Sequence, residues 1–257
     1  MSPKNTRLAG RTALVTGSTG GLGAAFATAL AEQGAFVVVS GRNTARGRAV
    51  LERIRSTGGA AALVAADLVE GASEVHRLAE EATAAAGGRI DVLVNNAAML
   101  LMPTPTAEVP EQLVADAFAV NVTAPFLLTG IIAPPMAKRG YGSIVNIGSI
   151  NGLIGMGGSA LYSATKATIH SLTKSWADEY GPRGVRVNTV APGPSLTERN
   201  AEIAAHLAPL LARIPSRRAS TLSEVAAAVV FLASDDASGI NGVTLSVDDH
   251  RGRGVST

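Results

Sequence analysis

The stretch "TALVTGSTGGLGAAFA", residues 12–27, joins a short β-branched run to a glycine-rich turn and then to an Ala-rich segment of helical composition. Strand, glycine turn and helix, in that order, open a dinucleotide-binding βα unit. Gly17, Gly21 and Gly23 permit a tight turn, close backbone approach to a pyrophosphate, and a helix N-terminus aimed at it. No Lys follows the glycines in the position that a mononucleotide P-loop requires. The stretch therefore predicts a Rossmann-type α/β fold, whose ligands bind at the carboxyl ends of the strands.

The same alternation continues outward. Strand runs recur at "FVVVSG" (36–41), "AALVAAD" (61–67), "IDVLVNN" (90–96), "GSIVNIGS" (142–149), "VRVNTVAP" (185–192) and "GVTLSVD" (242–248). Ala-rich segments of helical length lie between them, two of them expected to close on left-handed caps at Gly34 and Gly181. Longer helices are expected around 111–133 and 159–181. The pattern predicts a doubly wound parallel sheet of about seven strands with helices on both faces. No repeat, low-complexity tract or linker divides the chain, so residues 1–257 read as one dinucleotide-binding and catalytic domain.

Composition agrees. Hydrophobic residues make up 47% and charged residues 16% of the chain, enough for a large core, and only 4% are aromatic. The net charge of +2 and pI of about 9.2 come from scattered Lys and Arg with few aromatics, which does not describe a nucleic-acid binder. The absence of Cys excludes disulfides and thiolate metal sites. His76, His170, His206 and His250 are isolated from one another and read as surface or packing residues, so no metal site is expected. The opening "MSPKNTRLAG" lacks an apolar signal region, and no run approaches the ~18 apolar residues of a membrane span. A soluble, cytoplasmic protein without membrane partners is the expectation.

The residues just past each strand carry the chemistry. Arg42 stands nineteen residues after Gly23, where an NAD-binding fold usually places an acid for the ribose hydroxyls, and none follows until Glu52. Arg42 is placed to grip a 2′-phosphate, which favours NADP(H) over NAD(H). Asp67 could accept from an adenine amino group or cap the following turn. "NNAA" (95–98) offers small residues that let the backbone pass close to a ligand, although Asn in a turn needs no ligand. Ser149 closes the fifth run, Tyr162 follows thirteen residues later, and Lys166 lies four further on, on the same helix face. A free Tyr is ionised only to about one part in a thousand at neutral pH. Lys166 and a positively charged nicotinamide ring are expected to lower the Tyr162 pKa, making it a general acid/base.

Together, "TGSTGGLG", "NNAA", "NVTAPF", Ser149 with "YSATK", "RVNTVAPGP" and the late "SDDASGINGVTLSVD" resemble the short-chain dehydrogenase/reductase family in its single-domain form of about 250 residues. The resemblance covers almost the whole chain. It implies that Tyr162 is the catalytic acid/base, that Ser149 orients the substrate carbonyl, and that Lys166 holds the nicotinamide ribose. It further implies that Asn121 supports a water linking Lys166 to solvent. Cofactor contacts are implied at Gly17, Ser18, Gly21, Leu22, Gly23, Arg42, Asp67, Leu68, Asn95, Ala97, Tyr162, Lys166, Pro192, Gly193 and Thr197. A homotetramer or homodimer pairing the two long helices is implied as well.

Two departures stand out. Gly20 beside Gly21 also fits the glycine spacing of the extended, sugar-nucleotide-modifying branch, for which this chain is short. "VDDHRGRGVST" carries Asp249 and His250 where many relatives have glycines. The expected function is NADP(H)-dependent interconversion of a small-molecule carbonyl and its alcohol. Specificity is expected from 150–160 and from a loop or lid at 194–218. A 3-ketoacyl-thioester reductase is the alternative, with Arg213, Arg217 and Arg218 as a basic rim for an acidic carrier protein. A non-catalytic dinucleotide-binding sensor is a third reading.

Overall fold

A computed structural model of the chain describes residues 6–195, 211–212 and 215–248. Among these, seven parallel strands form one sheet: β1 (Thr12–Val15), β2 (Phe36–Gly41), β3 (Ala60–Ala65), β4 (Val92–Asn95), β5 (Gly142–Ile147), β6 (Val185–Pro192) and β7 (Thr244–Val247). Their spatial order is β3-β2-β1-β4-β5-β6-β7. The chain winds outward from β1 to β3, returns to β4, and continues to the other edge. The winding direction reverses between β1 and β4, and that switch point opens a crevice at the strand ends.

Strand residues alternate between two cores, as a pleat of period two requires. Ala13, Val15, Val37 and Val39 face a core closed by α1 (Gly21–Glu32), α2 (Thr44–Ser56) and a helix at Leu222–Ala233. Leu14 and Val38 face the opposite core, which takes α3 (Ala72–Ala85), α5 (Ala124–Arg139) and α6 (Ala160–Tyr180). The remaining long helices are α4 (Glu111–Phe118) and the C-terminal α7, the helix already placed at Leu222–Ala233.

Three sequence expectations change here. The helix expected around 111–133 runs to Arg139 and is interrupted by a π turn at Ala119–Thr123. By length and composition Glu111–Arg139 is apolar enough to cross a bilayer, where no such run was expected. In the fold it packs against α3 and α6. Gly34 is left-handed at φ +91°, but Gly181 is right-handed at φ −53°. A 3-10 turn extends α6 to Arg183, and the reversal comes at Gly184, φ +77°. A side chain at Gly184 would run into the Gly140 carbonyl.

Candidate active site

A cleft of about 650 Å³ lies along the carboxyl ends of the strands. Its first wall is the turn between β1 and α1. A Cβ at Gly17, where φ is +64°, would lie 2.7 Å from Ala97 Cα. A Cβ at Gly23 would lie 2.5 Å from Asn96 Nδ2. The turn is therefore pressed against the residues that follow β4, and only glycine fits there. Asn96 secures the contact, its Nδ2 donating to Thr16 O at 2.8 Å and to Gly17 O at 3.1 Å. Gly20 provides no side-chain cap for α1, so the first-turn N–H groups lack intrahelical partners at the cleft.

Two residues assigned to this wall are placed elsewhere. Ser18 is fully buried, its Oγ donating to Val15 O at 2.6 Å and accepting from Ser40 N at 2.9 Å. It ties the turn to β2, while Thr19 and Gly20 line the cleft with Gly21, Leu22 and Gly23. Asn95 turns into the core, donating to Asn146 Oδ1 at 2.9 Å and Thr129 Oγ1 at 3.2 Å. Its neighbour Asn96 takes the cleft side, with Ala97 and Ala98. Adjacent strand residues face opposite ways, so only one of the pair can line the site.

At the far end Arg42 is 69% exposed, with Nη1 3.6 Å from Asp67 Oδ2. Asp67 also accepts from Val69 N at 3.3 Å, capping a 3-10 turn that begins with Leu68. Asp67 thus performs the capping role read from sequence while still lining the cleft with Leu68. Arg46, in the first turn of α2, lines the same end and was not singled out by sequence reading. No spacing marked it, because Arg42 lies before α2 and helical periodicity does not relate the two.

The chemical end lies between β5 and α6. Lys166 is 3% exposed and donates from Nζ to Ile147 O at 2.9 Å. Burial lowers its pKa to about 8. Tyr162 faces Ser149, and burial pushes its phenol above the ordinary value while the Ser149 hydroxyl pulls the other way. The expected lowering by Lys166 does not set the direction. Lys166 Nζ lies 5.7 Å from the centre of the Tyr162 ring and is committed to a carbonyl. Asn121 sits in the π turn with both Nδ2 hydrogens and one Oδ1 lone pair engaged. Oδ1 accepts from Met99 N at 2.7 Å, and Nδ2 donates to Met99 O and Thr165 Oγ1, both at 3.2 Å.

Pro192, the last residue of β6, and Gly193 after it close the cleft. Thr197, Arg213, Asp249, His250 and most of the expected lid lie outside the described residues. Beyond Ser149 and Tyr162 the lining is mostly apolar, with Met99, Leu100, Leu101, Val120, Ile150 and Met156, and its polar members Asn151 and Ser159 carry no charge.

A family model described as enoyl-(acyl carrier protein) reductase matches residues 17–249. The chain is 38% identical over 243 residues to a 2,5-dichloro-2,5-cyclohexadiene-1,4-diol dehydrogenase of Sphingobium indicum, covering 94% of this chain and 96% of that one. It is 35% identical over 246 residues to a cyclopentanol dehydrogenase of Comamonas, covering 94% and 97%. Among solved structures, a 3-oxoacyl (acyl-carrier-protein) reductase of Agrobacterium tumefaciens with NADP bound superposes at a TM-score of 0.90, with 34% identity and 97% coverage of both chains.

Proposed function

The chain belongs to the short-chain dehydrogenase/reductase family of oxidoreductases, and from that premise we propose that it interconverts an uncharged, apolar ketone or aldehyde with its alcohol, using NADP(H). The observation that carries the reading is one cleft with Ser149, Tyr162 and Lys166 at one end and Arg42 and Arg46 at the other.

The residues present suit such a cofactor. Gly17 and Gly23 have no room for a Cβ, and the uncapped helix end favours a pyrophosphate. Two guanidiniums stand where an acid would hold unmodified ribose hydroxyls. Lys166 would hold the nicotinamide ribose. When bound, the cofactor supplies or accepts the hydride. The chain's own residues manage the proton. Ser149 orients the carbonyl oxygen, and Tyr162 Oη gives it a proton in reduction or removes one in oxidation. The Asn121 side chain fixes the 97–101 segment against α6. The proposed water link from Asn121 to Lys166 would use its backbone carbonyl or the second lone pair of Oδ1, since both Nδ2 hydrogens are committed.

Substrate class follows from where charge is absent. The cations among the described lining residues are Arg42 and Arg46 at the nucleotide end and the committed Lys166. At the rim, Leu100, Met102, Leu153 and Ile154 are 38–58% exposed. Cyclopentanol and a chlorinated cyclohexadienediol, the substrates named for two relatives, have the matching chemistry. The ketoacyl-thioester reading has the solved relative in its favour. Its basic rim is weakened, since Arg218 is paired with Glu224 at 2.7 Å. The expected subunit pairing through α4–α5 and α6 would bury Val114 and Phe126, which are 38% and 50% exposed.

The test is initial rates with NADPH and NADH on cyclopentanone, a long-chain methyl ketone, a keto sugar acid and acetoacetyl thioesters. NADPH should be preferred and the two apolar ketones reduced fastest. Arg42→Ala should raise the NADPH KM by about 10- to 150-fold, the value of a charge-assisted hydrogen bond, and leave the NADH KM unchanged. Preference for NADH removes Arg42 from its role. Fastest turnover of the thioesters decides for the alternative, and cofactor binding with no turnover on the panel for the sensor.

A further inference from the structure

We propose that His170 is a positioning residue for the Ser149 hydroxyl, an inference that rests on Ser149 orienting the substrate oxygen. Tyr162, Lys166 and His170 follow one another at intervals of four along α6, so all three share one face. Each meets the chain leaving β5. Tyr162 faces Ser149, Lys166 Nζ donates to Ile147 O, and His170 Nε2 lies 3.0 Å from Ser149 O.

His170 is 5% exposed, and its other ring nitrogen, Nδ1, lies 3.1 Å from Thr244 Oγ1 on β7. Burial lowers its pKa, which keeps the ring neutral. A neutral imidazole has one donor and one acceptor. Since Ser149 O can only accept, Nε2 carries the hydrogen and Nδ1 accepts from the Thr244 hydroxyl. The tautomer is thus assigned by the partners' chemistry.

The Nε2 edge of the ring also fits between the two flanks of the Ser149 turn. A Cβ at Gly148 would come to 2.5 Å from His170 Cε1, and one at Gly152 to 2.7 Å from Cδ2. Two glycines therefore admit the imidazole against the backbone. Ser149 O receives a second hydrogen bond from Gly152 N at 3.0 Å, and Ser149 Oγ accepts from Asn151 N at 3.2 Å. With the following peptide held and one Oγ lone pair taken, the Ser149 O–H is left to donate into the cleft. A hydrocarbon ring would fill the same space without holding that carbonyl. The path runs from β7 through His170 to the turn, and only its last member touches substrate.

The test compares His170→Phe, His170→Gln and Thr244→Val in NADPH-dependent reduction of cyclopentanone, each also in a Ser149→Ala background. His170→Phe should lower kcat by about 10- to 100-fold, the scale of a small misplacement of a reacting group, with the NADPH KM within about twofold. His170→Gln, which keeps a donor where Nε2 stood, should restore kcat to within about threefold. Thr244→Val should move kcat in the same direction by a smaller factor. Neither His170 variant should lower the residual activity of Ser149→Ala further. Full kcat in His170→Phe, parallel losses in kcat and NADPH binding, or additive losses in the Ser149→Ala background would each overturn the proposal. If His170→Phe fails to fold, the Gln and Val variants decide by the same measures. If the wild type does not reduce cyclopentanone, the proposed function fails separately, and crystal structures of wild type and His170→Gln or His170→Phe decide. A Ser149 Oγ shifted by more than about 0.5 Å in Phe but not in Gln supports the role, and an unmoved Oγ in both overturns it.

Discussion

Tyr162→Phe is expected to reduce kcat by about 10²- to 10⁴-fold, the range a positioned general acid/base supplies, while NADPH binding stays within about threefold. The separation follows from the proposed function, in which the phenol oxygen would act on the substrate while Lys166, the glycine turn and the guanidiniums would hold the cofactor. Cofactor fluorescence and initial rates measure the two quantities independently. Direction of reaction adds a sign. Burial raises the Tyr162 pKa and Ser149 lowers it. Carbonyl reduction uses the phenol and holds its rate as pH rises until the phenol ionises. Alcohol oxidation uses the phenolate and speeds up with pH. Ser149→Ala removes the lowering influence, so the oxidation limb should move to higher pH. An unmoved limb, or full turnover in Tyr162→Phe, takes Tyr162 out of the mechanism.

Lys166→Met should be inactive and yet more stable. The Lys166 pKa is depressed from 10.5 to about 8 by burial alone. Between those values the unfolded chain binds a proton that the folded chain has lost, so stability rises with pH across the window. Below about pH 8 both states are protonated, and the folded state carries the full penalty of a buried ammonium, roughly 3 kcal/mol for a shift of this size. Met fills the same space without charge but gives up the hydrogen bond to Ile147 O, worth about 1–2 kcal/mol. The net gain at pH 7 is about 1–2 kcal/mol, or a Tm some 2–8 °C higher for a chain of this length. The gain should shrink toward pH 10, where the wild type escapes its penalty. Thermal melts from pH 7 to 10 check it, and a lower Tm for Lys166→Met at pH 7 contradicts it. The charge is retained at the expense of stability, as expected of a group kept for chemistry.

Much of this was legible because local signals agree with the global fold. The strands form close to where the β-branched runs lie, and β1 passes into the glycine turn as the opening stretch implies. Tyr162 and Lys166 could be placed on one face because α-helical spacing is rigid. Other features had no local signal. A strand buried on both faces has no polar side, so the pattern could not tell which of Asn95 and Asn96 turns outward. Ser18 belongs to a glycine turn by sequence, but its role depends on Ser40, twenty-two residues away. The Tyr162 pKa followed burial, a tertiary property, rather than the nearby charge that spacing suggested. His170 read as packing because its partners, the Ser149 carbonyl and the Thr244 hydroxyl, come from different strands' ends.

The π turn at Ala119–Thr123 has a consequence for how the chain can vary in length. Each α-helical residue rotates the chain by about 100°. A π turn takes up one residue more than an α turn, so deleting one residue here would restore α geometry and leave α5 close to its present phase relative to α4. Leu128, Ile132 and Met136 would keep to the sheet and Thr129 to Asn95, while Asn121 would lose its place against Met99 and Thr165. Substitutions at exposed Thr123 change nothing in this register, whereas a further residue inserted in α geometry would turn α5 by about 100° away from the sheet. The segment works as a vernier: one extra residue is absorbed within the turn, which lets Asn121 face Met99 and Thr165 while α5 keeps the phase that faces the sheet.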